Sequence, residues 1–130
     1  MRIKLKEVHY PAGSSVAGPY SPAVSAGDLV FTAGQIPLDP ETGKLVEGDF
    51  KTRVRQILDN LSNLLQSAGS SMDQAVKVTV YLTDLSRFAE LNDVFSDYFP
   101  KEPPARSAVQ VSKLPLDADI EIECIAVRKK

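Results

Sequence analysis

The chain has 130 residues, room for one domain of roughly 100–150 residues and no second. Its 15 lysines and arginines against 17 aspartates and glutamates leave a net charge of −2. That balance gives no broad attraction to phosphate backbones or anionic lipid and argues against nucleic-acid and membrane partners. At 43% hydrophobic and 25% charged, with apolar runs far short of the ~18 residues of a membrane span, the composition is that of an ordinary globular domain, 1–130.

Met1 to Glu7 alternates charged with apolar residues where a secretory signal would carry a continuous apolar core, so the cytoplasm is the expected compartment. Ile3, Leu5 and Val8 predict a short first strand ending near Tyr10-Pro11. The loop from Ala12 to Pro22 follows, long for a small domain and carrying Gly18-Pro19-Tyr20. Ala23 to Gly34 reads as a hairpin with Gly27-Asp28 at its turn, and its second arm, Leu29 to Ala33, is apolar on both faces. From Asp49 to Ala68, Phe50, Val54, Ile57, Leu58, Leu61, Leu64, Leu65 and Ala68 form one stripe on a helix, with Asp49 placed to cap it and Gly69 to end it.

Val76, Val78, Val80 and Leu82 alternate with Lys77, Thr79, Tyr81 and Thr83, which predicts a strand with one apolar face. A second helix is expected after Asp84, with Phe88, Leu91, Val94, Phe95 and Tyr98 at helical spacing until Pro100 and Pro103-Pro104 stop it. Two strands close the chain, about 106–113 and 120–128, giving the order β, ββ, α, β, α, ββ. The last strand places Ile120, Ile122 and Cys124 on one side and Ile125 and Val127 on the other. Two helices cover one face of such a sheet, so the second apolar face needs a partner, and self-association is the physical inference.

Few residues are candidates for chemistry. His9 is the only histidine and reads as a solvated strand residue, while the lone Cys124 fits a small packed hydrophobe. There is no Gly-rich phosphate loop, CxxC or HExxH, which removes the motif-level cases for nucleotide or metal chemistry. Arg106 opens a strand beside the small Ser107 and Ala108, sharing a face with Ala108, Gln110 and Ser112. It is either an edge cation or a rigid fork for a ligand carboxylate. Glu121 and Glu123 flank Ile122, either solvated at a sheet edge or kept for function despite the cost of burying acids in a strand. Asn92 lies on or beside the buried stripe of the second helix, either satisfied by backbone groups or turned to a ligand.

The tail, Pro104-Ala105-Arg106-Ser107-Ala108-Val109, then Leu114-Pro115 and Ile120-Glu121-Ile122-Glu123-Cys124-Ile125-Ala126-Val127, resembles the signature of the RidA/YjgF family of enamine/imine deaminases. The likeness extends over Gly18-Pro19-Tyr20, Phe31-Thr32-Ala33-Gly34-Gln35-Ile36-Pro37, Asp39-Pro40-Glu41-Thr42-Gly43, Asp59-Asn60-Leu61, the segment from Val78 to Asp84, and Phe88-Ala89-Glu90-Leu91-Asn92. The resemblance implies a chorismate-mutase-like α+β fold of the bacillus type, a mixed six-stranded sheet with two helices on one face, assembled as a homotrimer around a central barrel. It implies hydrolysis of 2-imino acids and their enamine tautomers, such as 2-aminoacrylate and 2-iminobutanoate, to 2-keto acids and ammonia, without a cofactor, in clefts between subunits.

Carried over by the resemblance, Arg106 holds the substrate carboxylate and Glu121 positions and deprotonates the attacking water. Tyr20 closes the cleft from a neighbouring subunit, Gly34 lets backbone approach the ligand, and Asn92 lines or braces the site. Ala108 stands where the family often has cysteine, and an alanine keeps the backbone carbonyl that would face the imine nitrogen. Ala33, where many members have serine, removes one hydroxyl. Two other functions remain open: a ribonuclease or translation inhibitor, as some relatives have been described, and a non-catalytic protein that binds small carboxylates through Arg106.

Overall fold

The computed structural model describes residues 5–11, 16 and 18–128. Ile3 of the expected first strand, and residues 12–15 and 17 of the long loop, lie outside them. Six strands run β1 (Lys6–His9), β2 (Ala23–Ala26), β3 (Leu29–Thr32), β4 (Ala75–Leu82), β5 (Ala105–Gln110) and β6 (Ile120–Val127), with helices α1 (Phe50–Ser67) and α2 (Phe88–Tyr98) in the expected places. They form one mixed sheet in the order β1-β2-β3-β6-β4-β5, in which only β4 and β5 are parallel. α2 is the crossover between those parallel neighbours, which a direct turn could not join.

Local sequence explains the element ends. Asp49 accepts the Thr52 amide at 2.9 Å and caps α1, and Gly69 takes φ +82° just beyond its last turn. Gly27, at φ +59°, begins the two-residue turn that sets Ala26 opposite Leu29. The α1 stripe, from Phe50 through Val54, Ile57, Leu58, Leu61, Leu64 and Leu65, packs with Leu91, Val94 and Phe95 of α2 on one face of the sheet, meeting Val30, Val78, Val80, Leu82, Ile120, Ile122, Cys124 and Ala126. Cys124 is a buried hydrophobe, as expected, and burial pushes its thiol up to about 12.

Two expectations change, and one open alternative closes. Val76 does not share the apolar face of Val78, Val80 and Leu82: a bulge between Ala75 and Lys77 in the pairing with β6 turns Val76 outward, 45% exposed, and gives its inward place to Ala75. β5 stops at Gln110 rather than near Lys113, because β4 has ended at Leu82 and the Val111 amide takes the last available carbonyl, that of Leu82. Finally β6, with its two glutamates, is central in the sheet, hydrogen-bonded to β3 and β4, and not an edge.

Among the described residues no helix covers the other face. Leu29 and Phe31 of β3 and Val109 of β5 are each about two-fifths exposed there, beside Ile125 and Val127. His9, expected to be solvated, instead shares a 2.8 Å hydrogen bond with the buried Ser25. Among the described residues no helix is long and apolar enough to cross a membrane.

Candidate active site

Arg106 stands level with Val78 in the β4–β5 pairing, so its side chain turns to the helix-covered face. There its guanidinium lies 4.9 Å from the ring centre of Phe88 and 5.0 Å from that of Phe95, and Nη2 donates to Asn92 Oδ1 at 2.7 Å. Asn92, Phe95, Ser96, Phe99, Pro103, Pro104 and Arg106 line a cleft of about 340 Å³. Four other arginines are paired with acids: Arg53 with Asp119, Arg55 with Asp97, Arg87 with Glu90 and Arg128 with Glu7. Arg106 alone among the described arginines has no carboxylate partner. Burial without a counter-charge lowers its pKa, the signature of a desolvated cation with spare donors for an anion.

Glu121 is the register partner of Tyr81 and faces the helix-free side of the sheet. Its carboxylate lies against Gly34, where a Cβ would sit 2.6 Å from Oε2 and 2.7 Å from Cδ. The Gly34 backbone is held there because Gln35 and Ile122 exchange backbone hydrogen bonds of 2.8 and 3.0 Å. Glu121 accepts no hydrogen bond from a described residue, and its carboxyl is held above the ordinary value, first by burial and then by the charge of Glu123. A carboxylate so placed has free lone pairs and raised basicity, as proton abstraction requires.

Within one chain these two groups do not meet. Arg106 is level with Val78 and hence Cys124, whereas Glu121 lies three residues along β6, two strands across and on the opposite face. At the usual strand dimensions their Cα atoms are about 14 Å apart. A single protomer therefore holds a guanidinium without an acid partner on one face of its sheet and a carboxylate without a donor on the other.

A family model described as Endoribonuclease L-PSP matches residues 12–128. A RutC family protein of Pyrococcus horikoshii is 52% identical over 112 residues, covering 86% of this chain and 89% of the relative. The chain belongs to the RidA/YjgF family. The chloroplastic Reactive Intermediate Deaminase A of Arabidopsis thaliana is 42% identical over 95% of this chain and 66% of its own. The crystal structure of E. coli TdcF with bound serine superposes with a TM-score of 0.84 at 40% identity, covering 95% of this chain and 99% of that one.

Three of the remaining candidates of this RidA/YjgF chain fall beside Arg106 or Glu121. Asn92 is exposed on α2 and satisfied by Arg106, not by backbone groups, so it braces the guanidinium. Ala108 follows two residues along β5 on the same face and packs partly against the core. Gly34 belongs with Glu121. Tyr20 is half exposed, and its amide donates to the Gly18 carbonyl at 2.9 Å. Sequence reasoning missed Phe88 and Phe95 as the platform under Arg106, since both fit the helical stripe, and Tyr81, which fits the polar side of β4. The only available signal was Arg106 itself, a cation that needs apolar or aromatic cover when placed inward.

Gly34→Ala separates positioning from folding. The new Cβ must displace the flexible Glu121 side chain, while the Gly34 backbone, outside the left-handed region, accepts alanine. Stability is expected to change by less than about 1 kcal/mol, and turnover to fall roughly 10²-fold because the carboxylate moves by about an ångström. Thermal melting and steady-state rates on one preparation check both.

Proposed function

We propose that the protein hydrolyses small 2-imino acids, such as 2-iminopropanoate and 2-iminobutanoate, to 2-keto acids and ammonia, at sites that two copies of the chain build together within a homotrimer. The observation that carries this reading is Arg106, a half-buried guanidinium stacked on two rings, braced by Asn92 and without an acid. It suits a ligand carboxylate, which it holds with two parallel hydrogen bonds and which fixes C2 for attack. Glu121 of a neighbouring copy takes a proton from water as the water oxygen bonds to C2 and the C=N electron pair moves to nitrogen. The protonated Glu121 returns that proton to the nitrogen. Glu121 next takes the hydroxyl proton and passes it to the amino group, so the C–N bond breaks, ammonia leaves and the oxygen becomes the carbonyl of the keto acid.

Two comparisons support the substrate class: the Arabidopsis relative is named a reactive intermediate deaminase, and the TdcF structure holds serine, a small amino acid with a carboxylate. Assembly is supported by the uncovered apolar face with Leu29, Phe31 and Val109, and by the two half-sites facing opposite ways. Light scattering after size exclusion is expected to give three times 14.2 kDa; a monomer at every concentration overturns the shared site. For the chemistry, a dehydratase that generates the imine in situ is run with and without this protein, and keto-acid formation is timed. Acceleration supports the deaminase. An unchanged rate with keto acid still bound replaces it with a carboxylate-binding protein.

A further inference from the structure

On the helix-free face, β6 presents Glu121 and Glu123 two residues apart, about 6.7 Å at strand spacing. Tyr81 is the register partner of Glu121, yet its hydroxyl reaches diagonally to donate to Glu123 Oε1. The phenol thus ties down the second carboxylate beside the first without neutralising it. The other described groups on this face leave that charge standing. From β4, Lys77 is turned to Ser107 of β5 at 2.9 Å and is level with Ile125, one step beyond Glu123 on that face. β3 contributes Leu29 and Phe31, which are uncharged, and the segment against Glu121 contributes Gly34 and Gln35, whose amide Nε2 donates to the Ala33 carbonyl.

We propose that Glu123, clamped by the Tyr81 hydroxyl, is a positioning residue for the reaction: it holds a fixed negative charge beside Glu121 and so makes Glu121 the stronger base toward the attacking water. This rests on the reading of Glu121 as the general base. Like charges held a few ångströms apart oppose the second ionisation, which strengthens the hold of Glu121 on a proton. The direction found for Glu121, raised by burial and then by Glu123, agrees. An un-ionised phenol suits the clamp because it fixes the carboxylate while adding no positive charge, and Glu123 in turn raises the pKa of Tyr81, keeping it protonated.

The test compares the parent, Glu123→Gln and Glu123→Asp in pH–rate profiles of imine hydrolysis, alongside a carbon-13 NMR titration of the Glu121 carboxyl. With Glu123→Gln the acid limb and the Glu121 titration are expected to move together to lower pH. The two profiles should cross: the variant is faster than the parent on the acid side, where more Glu121 is ionised, and slower on the plateau, where its base is weaker. Glu123→Asp keeps the charge and should leave the limb near its original position. Tyr81→Phe, which frees Glu123, should shift the limb the same way as Glu123→Gln but less far. A uniform loss of rate at every pH with the Glu121 titration unmoved overturns the proposal and makes Glu123 merely structural. If the titration moves in a protein that hydrolyses no imine, the coupling stands and the deaminase reading is the part that fails.

Discussion

Arg106→Ala is expected to lower kcat/KM for the imine by about 10²–10⁴-fold, from two charge-assisted hydrogen bonds worth roughly 1.5–3 kcal/mol each. Binding of a 2-keto-acid product should weaken in parallel, because the same fork holds substrate and product. The fold should survive. Arg106 has no acid to orphan, and its loss removes two ring contacts worth about 0.5–1 kcal/mol each while relieving the desolvation of an uncompensated cation. Arg106→Lys should recover only part of the activity, since an ammonium supplies charge without the bidentate fork or the flat stacking surface. Isothermal titration with a keto acid, set beside the kinetics, reads both effects; normal keto-acid binding by Arg106→Ala would place the carboxylate site elsewhere.

Glu121→Gln is expected to show the opposite division. The amide keeps the shape and one acceptor but cannot take a proton, so product binding should stay near the parent value while the rate falls roughly 10²–10⁴-fold. Full hydrolysis by this variant would rule Glu121 out as the base. Stability supplies a second readout with a definite sign. The Glu121 carboxyl is held above its ordinary value, so between that value and the folded-state pKa the native protein binds more protons than the unfolded chain, and stability drops as pH rises through this window. Glutamine does not titrate. Melting curves across that window should therefore move in favour of Glu121→Gln as the pH increases.

How far the sequence led is clearest strand by strand. The periods of α1 and α2, the Gly27-Asp28 turn and the two-faced apolar pattern of β3 and β6 are all present in the structure, because each is a local pattern that only one backbone period satisfies. Alternation also separated Glu121 and Glu123 from Ile120 and Ile122 correctly. It misled at Val76, where a bulge inserts one residue and reverses the facing of everything before it; a bulge is set by the partner strand and leaves no mark on the bulged strand's own hydrophobic pattern. The sequence left the edge or central place of β6 open for a similar reason, since strand order is a long-range property that isolated strands do not carry.

Arg106 and Glu121 show the same boundary at the level of chemistry. The pattern Pro104-Ala105-Arg106 through Ile125-Ala126-Val127 was enough to place the chain in its family, and through that resemblance to single out Arg106 and Glu121 as candidates. In β5, however, hydrophobicity favours turning Val109 inward, and the chain instead puts Arg106 and Ala108 beneath α2 and leaves Val109 outside. Parallel pairing with β4, whose Val78, Val80 and Leu82 must face the core, imposes that choice, and Phe88 and Phe95 make it tolerable by covering the guanidinium. What the sequence by itself determined is the set of elements and the residues able to do chemistry, because local periodicity and side-chain type are written residue by residue. Only the tertiary structure decided that Arg106 and Glu121 stand on opposite faces, that Gly34 makes room for the carboxylate and that Tyr81 ties Glu123 beside it, because facing and cross-strand proximity come from register and sheet order, which bring together residues far apart in the chain.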